Sequence, residues 1–266
     1  SLYPRILASR KPARLKSGGG VPRIDGVLRG VRIDPAHLAT YRDLTGNAGD
    51  TVPITYPHVL ASGLHLAMLA SPQFPVRLMG LVHVANRIEQ RGPLPTTASG
   101  ELVAWLEGHR DTERGQEFDL LTEWRQGSDV PWRETMTFLA RAPKKEGASR
   151  AASETQRPPA DQTFTFDAPS DIRRRYGPHA GDVNPIHLWA ATAKLFGFKR
   201  AIAHGMWTLA RCAAALPTDG PRVLDVQFKL PVLLPATLRF ERRDTEFVVL
   251  DETGQKPHLA GRYTRG

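Results

Sequence analysis

Two stretches of the chain repeat one pattern, an apolar helix followed by a run of short strands. The helices are expected over 54–70 and 201–216. The strand-like runs that follow them are 76–89, 101–110, 117–127 and 132–142 in the first half, and 222–235, 236–244, 246–254 and 259–266 in the second. One helix wrapped by a curved antiparallel sheet, formed twice, is the arrangement that this order favours, so we predict the α+β class.

A segment with almost no large apolar residues separates the halves. Residues 141–162 are rich in charge, alanine, serine and proline, and such a segment cannot bury enough surface to fold alone. We therefore predict a first unit over 1–140, a linker over 141–162 and a second unit over 163–266. The second unit also carries about 30 residues ahead of its helix for which we find no counterpart in the first.

Composition limits the classes of function. The chain has 266 residues, a formal net charge of +9 and a single cysteine, Cys212. One cysteine excludes an intrachain disulfide and a thiolate metal cluster, and it favours a cytoplasmic location. The position of Cys212 in an apolar helix predicts a buried small side chain.

The positive charge is scattered along the chain, with small clusters such as 173–175. No basic helix and no aromatic RNA-binding signature accompany it, and no apolar run is long enough for a membrane span. We therefore expect neither nucleic acid nor membrane as a partner. A substrate with a phosphate-bearing handle fits this charge better.

The segment 176–207 gathers the polar residues that could carry chemistry. Its Gly-Asp-x-Asn-Pro-x-His string predicts a tight turn that opens a helix, and Asp182 or Asn184 could simply cap that helix. In the first helical turn, the helix dipole would lower the pKa of His187. Asp182 and His187 could then polarise one water molecule, with Asn184 orienting the pair. This arrangement suits proton transfer beside a carbonyl group.

The pair His204-Gly205 opens the second apolar helix. Gly205 has no Cβ, so a carbonyl oxygen could approach its N–H closely, and the helix dipole would stabilise negative charge there. An oxyanion hole for a thioester enolate is one interpretation of Gly205. The other is a position where close packing requires glycine.

One string of spaced residues therefore extends across this segment. Its members are Tyr176, Gly181, Asp182, Asn184, Pro185, His187, His204 and Gly205. The string resembles that of the MaoC-like dehydratase family, which includes the (R)-specific, or type 2, enoyl-CoA hydratases. Many members are double hot-dog proteins with a degenerate first half, and first halves similar to 55–69 occur in mycobacterial-type (3R)-hydroxyacyl-thioester dehydratases. The chain departs from the family pattern at His179 and Ala180, where an aliphatic residue and a serine are usual.

The resemblance implies a role for each matching residue. Asp182 and His187 would be the acid/base pair that binds water, Asn184 would hold their geometry, and the Gly205 N–H would polarise the thioester carbonyl. The residues expected to contact the substrate or its phosphates are Tyr176, Gly181, His204, Trp207, Lys199, Arg200, Lys229 and the arginines 173–175. The family requires no metal and no organic cofactor.

The implied activity is that of a lyase in fatty-acid metabolism or biosynthesis. It adds water reversibly to a trans-2-enoyl thioester of coenzyme A or acyl carrier protein, giving a (3R)-hydroxyacyl thioester. The first half would complete the sheet and enclose the acyl chain, with 58–70 lining the pocket. Such double chains often pair, so a homodimer is also expected.

Three alternatives stay open. A hot-dog thioesterase would need a carboxylate on the helix after Gly205, and 206–216 offers neither Asp nor Glu. A metal site would have to use Asp182, Asn184 and His187, which make a poor transition-metal set. A non-catalytic subunit would bind acyl thioesters without turnover.

The remaining histidines and the tryptophans have no partner motif. We interpret His58, His65 and His83 as packed or half-exposed residues and His179 as a surface or structural residue. The tryptophans are expected in the core or at an interface, with Trp207 beside the site.

Overall fold

The computed structural model describes residues 9–16, 18–143, 159–182 and 199–265. Its helices are α1 (Pro35–Thr45), α2 (Tyr56–Ala70), α3 (Ile172–His179) and α4 (Gly205–Ala213). Its strands are β1 (Ile24–Arg32), β2 (Leu81–Gln90), β3 (Ser99–Thr112), β4 (Gly115–Gln126), β5 (Asp129–Arg141), β6 (Gln162–Ala168), β7 (Arg222–Phe228), β8 (Ala236–Arg243), β9 (Glu246–Asp251) and β10 (Pro257–Arg265).

These strands form one antiparallel sheet in the order β1-β3-β4-β5-β2-β7-β10-β9-β8-β6. The order within the first half, 1-3-4-5-2, is repeated by the second half as 6-8-9-10-7. The halves meet where β2 pairs with β7, from Ala85 opposite Gln227 to Gln90 opposite Arg222. The repeat predicted from the sequence is thus a repeat of topology, and the α+β double hot-dog fold is confirmed.

The main helix of each half is held by its buried face. In α2 this face includes Val59, Ala61 and Met68, and α4 is buried along almost its whole length. Burying one large aliphatic side chain contributes roughly 1.5–3 kcal/mol. Side chains of α2 and α4 join one hydrophobic cluster that includes strands of both halves. Cys212 lies in this cluster as a fully buried side chain, as predicted.

Three of the tryptophans lie in the core. Trp124, Trp132 and Trp207 are almost completely buried. Trp132 Nε1 donates to the Ile54 carbonyl and Trp207 Nε1 to the Leu44 carbonyl, both at 2.8 Å. These two hydrogen bonds join Trp207 to the last turn of α1 and Trp132 to the segment just before α2.

Among the elements of the described residues, the sequence analysis missed four: β1, α1, β6 and α3. The helix α1 shows that the first half also carries a segment ahead of its main helix. The excess in the second half is therefore smaller than the expected figure of about 30 residues, since 36 residues separate β6 from α4 and 23 separate β1 from α2. A local signal for α1 does exist, because Asp34 accepts hydrogen bonds from Ala36 N and His37 N and a proline follows it. The helix α4 also ends at Ala213, earlier than expected.

The boundary between the halves stays a prediction. The strand β5 ends at Arg141 and β6 begins at Gln162. Residues 144–158, most of the expected linker, lie outside the described residues. In the part of the chain that is described, no helix has the length and apolar character needed to cross a membrane.

Candidate active site

Asp182 lies at the end of a turn that follows α3. Its backbone N–H donates to the Gly177 carbonyl at 2.9 Å. Its carbonyl oxygen accepts a hydrogen bond from His204 Nε2 at 3.1 Å, and its Oδ2 lies 3.8 Å from the same nitrogen. The carboxylate side chain is 48% exposed, whereas that of His204 is 3% exposed. The backbone therefore holds an accessible carboxylate beside the residue that precedes α4.

Gly181 makes this turn possible in two ways. Its φ is +69°, a conformation that glycine adopts without steric cost. A Cβ at Gly181 would also lie 2.5 Å from Ser62 Oγ. Ser62, on α2, approaches the Ala180 carbonyl oxygen to 2.5 Å. The turn that carries Asp182 is thereby seated on the main helix of the other half.

Gly205 is the first residue of α4, as predicted. Its N–H is one of the donors that a helix start leaves without an intrahelical acceptor. The preceding residue, His204, has an extended backbone and makes no capping hydrogen bond with its side chain. A Cβ at Gly205 would lie 2.9 Å from Phe228 Cε1. Close packing therefore requires glycine here, and this does not compete with an oxyanion role for the N–H.

One cavity of about 640 Å³ connects these groups. Asp182, Gly205 and His204 line it together with one face of α2. The residues of that face are His58, Ser62, His65, Leu66 and Leu69. A cavity of this size, mostly apolar and with a few convergent polar groups, is typical of a small-molecule site.

Tyr176 closes the cavity beside His204, with the two ring centroids 5.4 Å apart. Its side chain is 2% exposed, and burial raises the pKa of Tyr176 well above its ordinary value. The phenol is therefore neutral across the physiological range. Tyr176 and Gly181 both line the cavity, where substrate contacts were expected.

Most of the other residues that were expected to contact the substrate are not among the described residues that line the cavity. Trp207 is a core residue that packs on Phe166 and is not among the described lining residues, so its expected contact with substrate stays a prediction. Lys199, Arg200, Arg174 and Arg175 are exposed and outside the described lining, and Arg173 is half-buried and also outside it. Lys229 does line it. Asn184 and His187 lie outside the described residues, so their placement stays a prediction.

Two cations that the sequence analysis did not select also line the cavity, Arg114 and Arg141. Arg114 lies at the turn between β3 and β4, and its guanidinium is paired with Glu117 at 2.9 Å. Arg141 is exposed at the end of β5. Neither belongs to a motif, so only the fold reveals that they are near the site.

His179, interpreted as structural, stacks on His37 with centroids 3.8 Å apart. His37 in turn approaches the His179 carbonyl oxygen at 3.0 Å and the Tyr56 hydroxyl at 2.8 Å. These contacts join α1, α2 and α3 behind the turn of Asp182. The departure from the family pattern at this position therefore has a packing explanation.

The chain belongs to the MaoC-like dehydratase family. Residues 148–258 match the family described as MaoC like domain. The chain is 35% identical to 3-hydroxyacyl-thioester dehydratase X of Mycobacterium tuberculosis over 228 residues, which are 82% of this chain and 81% of that protein.

Solved structures are similar over almost the whole chain. The crystal structure of HtdX of Mycobacterium tuberculosis has a TM-score of 0.76 at 32% identity, covering 91% of this chain and 100% of that one. A MaoC-like dehydratase from Phytophthora capsici has a TM-score of 0.72 at 16% identity, covering 92% and 96%. The latter likeness concerns the fold alone.

Proposed function

We propose that the protein is a 3-hydroxyacyl-thioester dehydratase, which interconverts (3R)-hydroxyacyl and trans-2-enoyl thioesters by removal or addition of water. The observation that carries the proposal is that Asp182 and the start of α4 at Gly205 line one cavity. A relative supports the proposal, because the chain is 35% identical to a protein named 3-hydroxyacyl-thioester dehydratase X.

In the hydration direction, Asp182 and His187 hold a water molecule against C3 of the enoyl group. The water oxygen bonds to C3, one water proton passes to the acid/base pair, and a proton is delivered to C2. The electron pair of the double bond passes through a thioester enolate, whose oxygen accepts a hydrogen bond from the Gly205 N–H. A positioned acid/base group contributes roughly 10²- to 10⁴-fold to such a step.

His204 is a positioning residue in this mechanism. Its Nε2–H donates to the carbonyl oxygen of Asp182, and its own backbone leads directly into α4. One imidazole therefore fixes the distance between the carboxylate and the proposed oxyanion donor. Errors of about 1 Å in such a distance can cost about 10²-fold in rate.

We assign the binding of the substrate's acyl chain to the first half of the protein. One face of α2 and apolar residues of β2 and β5, among them Val82, Met136 and Phe138, line the cavity beyond the reacting groups. The thioester carrier is coenzyme A or the phosphopantetheine of an acyl carrier protein. Among the described lining residues, Lys229, Arg114 and Arg141 are the cations that could meet its phosphates.

The direct test is to incubate the purified protein with trans-2-enoyl-CoA thioesters and follow the loss of enoyl absorbance. Chiral analysis of the product should give the (3R)-hydroxyacyl thioester. A thiol reagent in a parallel sample detects free coenzyme A. Thiol release without hydration would instead indicate a thioesterase, and binding with neither reaction would indicate a non-catalytic subunit.

A further inference from the structure

We propose that the acyl cavity contains a polar subsite formed by His58, His65 and His83, which binds a hydroxyl or keto oxygen carried by the acyl chain beyond C3. The inference rests on the proposed function, because it names the substrate class of the same site. All three imidazoles line the cavity together with Asp182 and Gly205.

The first part of the subsite is a buried ion pair. Glu134, on β5, is completely buried. Its Oε1 accepts hydrogen bonds from His58 Nδ1 at 2.9 Å and from Asn86 Nδ2 at 2.7 Å. Burial alone would lower the pKa of His58, but the charge and hydrogen bond of Glu134 raise it. His58 therefore donates through Nδ1 to Glu134, which leaves its Nε2 for a ligand.

The second part consists of two neutral imidazoles with unused nitrogen atoms. His65 Nε2 lies 2.8 Å from Thr122 Oγ1, but its Nδ1 is buried without a partner. His83 Nε2 is likewise buried without a partner. Burial lowers the pKa of His65 to about 3 and that of His83 to about 4. Because an unpaired buried polar atom costs free energy, these nitrogens indicate a missing polar partner.

The position of the subsite indicates which part of a substrate it meets. The ring of His83 lies 4.9 Å from that of Phe228, and Phe228 packs against Gly205. One aromatic ring thus separates the subsite from the proposed oxyanion donor. Leu66, Leu69 and Met136 line the same cavity as apolar residues. The ligand oxygen therefore belongs to the part of the acyl chain that follows the reacting carbons.

A metal ion is the competing occupant. His58, His65 and Glu134 place ligand atoms within 4.8 Å of one another. However, Glu134 Oε1 already accepts two hydrogen bonds, and His58 Nδ1, which donates one of them, has no lone pair left for a metal. The observed contacts therefore favour an oxygen-bearing organic group.

The experiment measures binding first, so that it does not depend on turnover. Calorimetry compares saturated octanoyl-CoA with analogues that carry one hydroxyl at successive carbons beyond C3. We expect one analogue to bind at least tenfold more tightly than octanoyl-CoA. His65→Phe and His83→Phe should each reduce this preference about tenfold, the equivalent of about one hydrogen bond. His109→Phe, a histidine that packs on Phe118 outside the cavity lining, should keep it.

Several results would overturn the subsite. One is equal binding of all analogues by the unsubstituted protein, and another is a preference that survives in both His65→Phe and His83→Phe. Stoichiometric zinc binding that His65→Phe abolishes would assign the cluster to a metal instead. Tight and selective binding with no enoyl hydration would contradict the proposed function and leave the subsite standing.

Discussion

At the residue scale, two glycines make the geometry of the candidate site possible. Gly181 lets the Asp182 turn rest on Ser62, and Gly205 lets α4 begin against Phe228. In both places a Cβ would lie closer than 3.0 Å to a neighbouring side chain. The positions of the two proposed catalytic groups therefore depend on residues that take no part in proton transfer.

Gly205→Ala should impair catalysis through this close contact. The added Cβ would lie 2.9 Å from Phe228 Cε1, so the start of α4 or the ring must move. We expect a loss of about 1–3 kcal/mol of stability from overpacking, together with a lower kcat because the oxyanion donor shifts. Steady-state kinetics and urea unfolding check both effects. An unchanged kcat would remove Gly205 from the mechanism.

Glu134→Gln should destabilise the protein by roughly 3–5 kcal/mol, because it leaves the largely buried His58, 13% exposed, without its counter-charge. Burial would raise the pKa of Glu134, but His58 lowers it on balance. The stability that the ionised Glu134 contributes is therefore lost as the pH falls through that lowered pKa. The pKa of His58 is raised, so the stability that His58 contributes is lost as the pH rises through that raised pKa.

The stability difference between the protein and Glu134→Gln should therefore be largest between the ordinary glutamate and histidine pKa values, about 4.3 and 6.5. Urea unfolding across this range measures it. The double variant His58→Gln/Glu134→Gln should recover part of the loss, since it leaves no uncompensated charge. A difference that does not vary with pH would contradict an ionised pair.

At the element scale, the sequence predicts the main helices and eight of the strands because their apolar patterns are strong and local. The elements that it missed, such as β1 and α3, have weaker patterns and depend on their neighbours in the fold. The Asp-x-Asn-Pro-x-His string was found because its members are close together in the chain. His58 and Glu134 are 76 residues apart. Only the approach of α2 to β5 brings them into contact.

Gly63→Ala tests whether a stronger helix former on the exposed face of α2 stabilises the protein and leaves the cavity unchanged. Gly63 is exposed on α2, and a Cβ there would meet nothing within 4 Å. Alanine lowers the entropy of the unfolded chain and favours the helix by about 0.5–1 kcal/mol. Thermal unfolding should show this gain with unchanged hydration kinetics. A destabilised variant would mean that the helix surface is packed at this point.

Leu66→Trp tests the other face of α2. Leu66 lines the cavity, so a larger side chain should fill part of the proposed acyl pocket. We expect kcat/KM for long-chain enoyl thioesters to fall at least tenfold more than that for crotonyl-CoA. A substrate panel of increasing chain length measures this. If the unsubstituted protein hydrates only four-carbon substrates, the pocket assignment fails.

At the scale of the whole molecule, one continuous sheet joins the half that carries the proposed acid/base groups to the half whose helix α2 lines the cavity. The β2–β7 pairing creates the cavity between α2 and α4, and neither half encloses it alone. Pairing of two chains stays a prediction.

The net charge of +9 is a property of the whole molecule that attracts the negatively charged carrier of the substrate. If cavity cations hold the carrier phosphates, KM for enoyl-CoA should rise with ionic strength while kcat stays nearly constant. Arg141→Gln should raise KM and weaken the salt dependence. Arg200→Gln, which changes an exposed cation outside the described lining, serves as the control. Equal effects of the two substitutions would indicate attraction by overall charge.

The central claim is that the carboxylate of Asp182 performs the chemistry in this cavity, and Asp182→Asn tests it most directly. The amide keeps the size of the side chain but cannot accept a proton, and Asp171→Asn is the control, since Asp171 is an exposed aspartate just before α3. We predict that Asp182→Asn lowers the kcat for crotonyl-CoA hydration about 10²- to 10⁴-fold and that Asp171→Asn leaves it unchanged. Equal rates in the two variants would contradict the account.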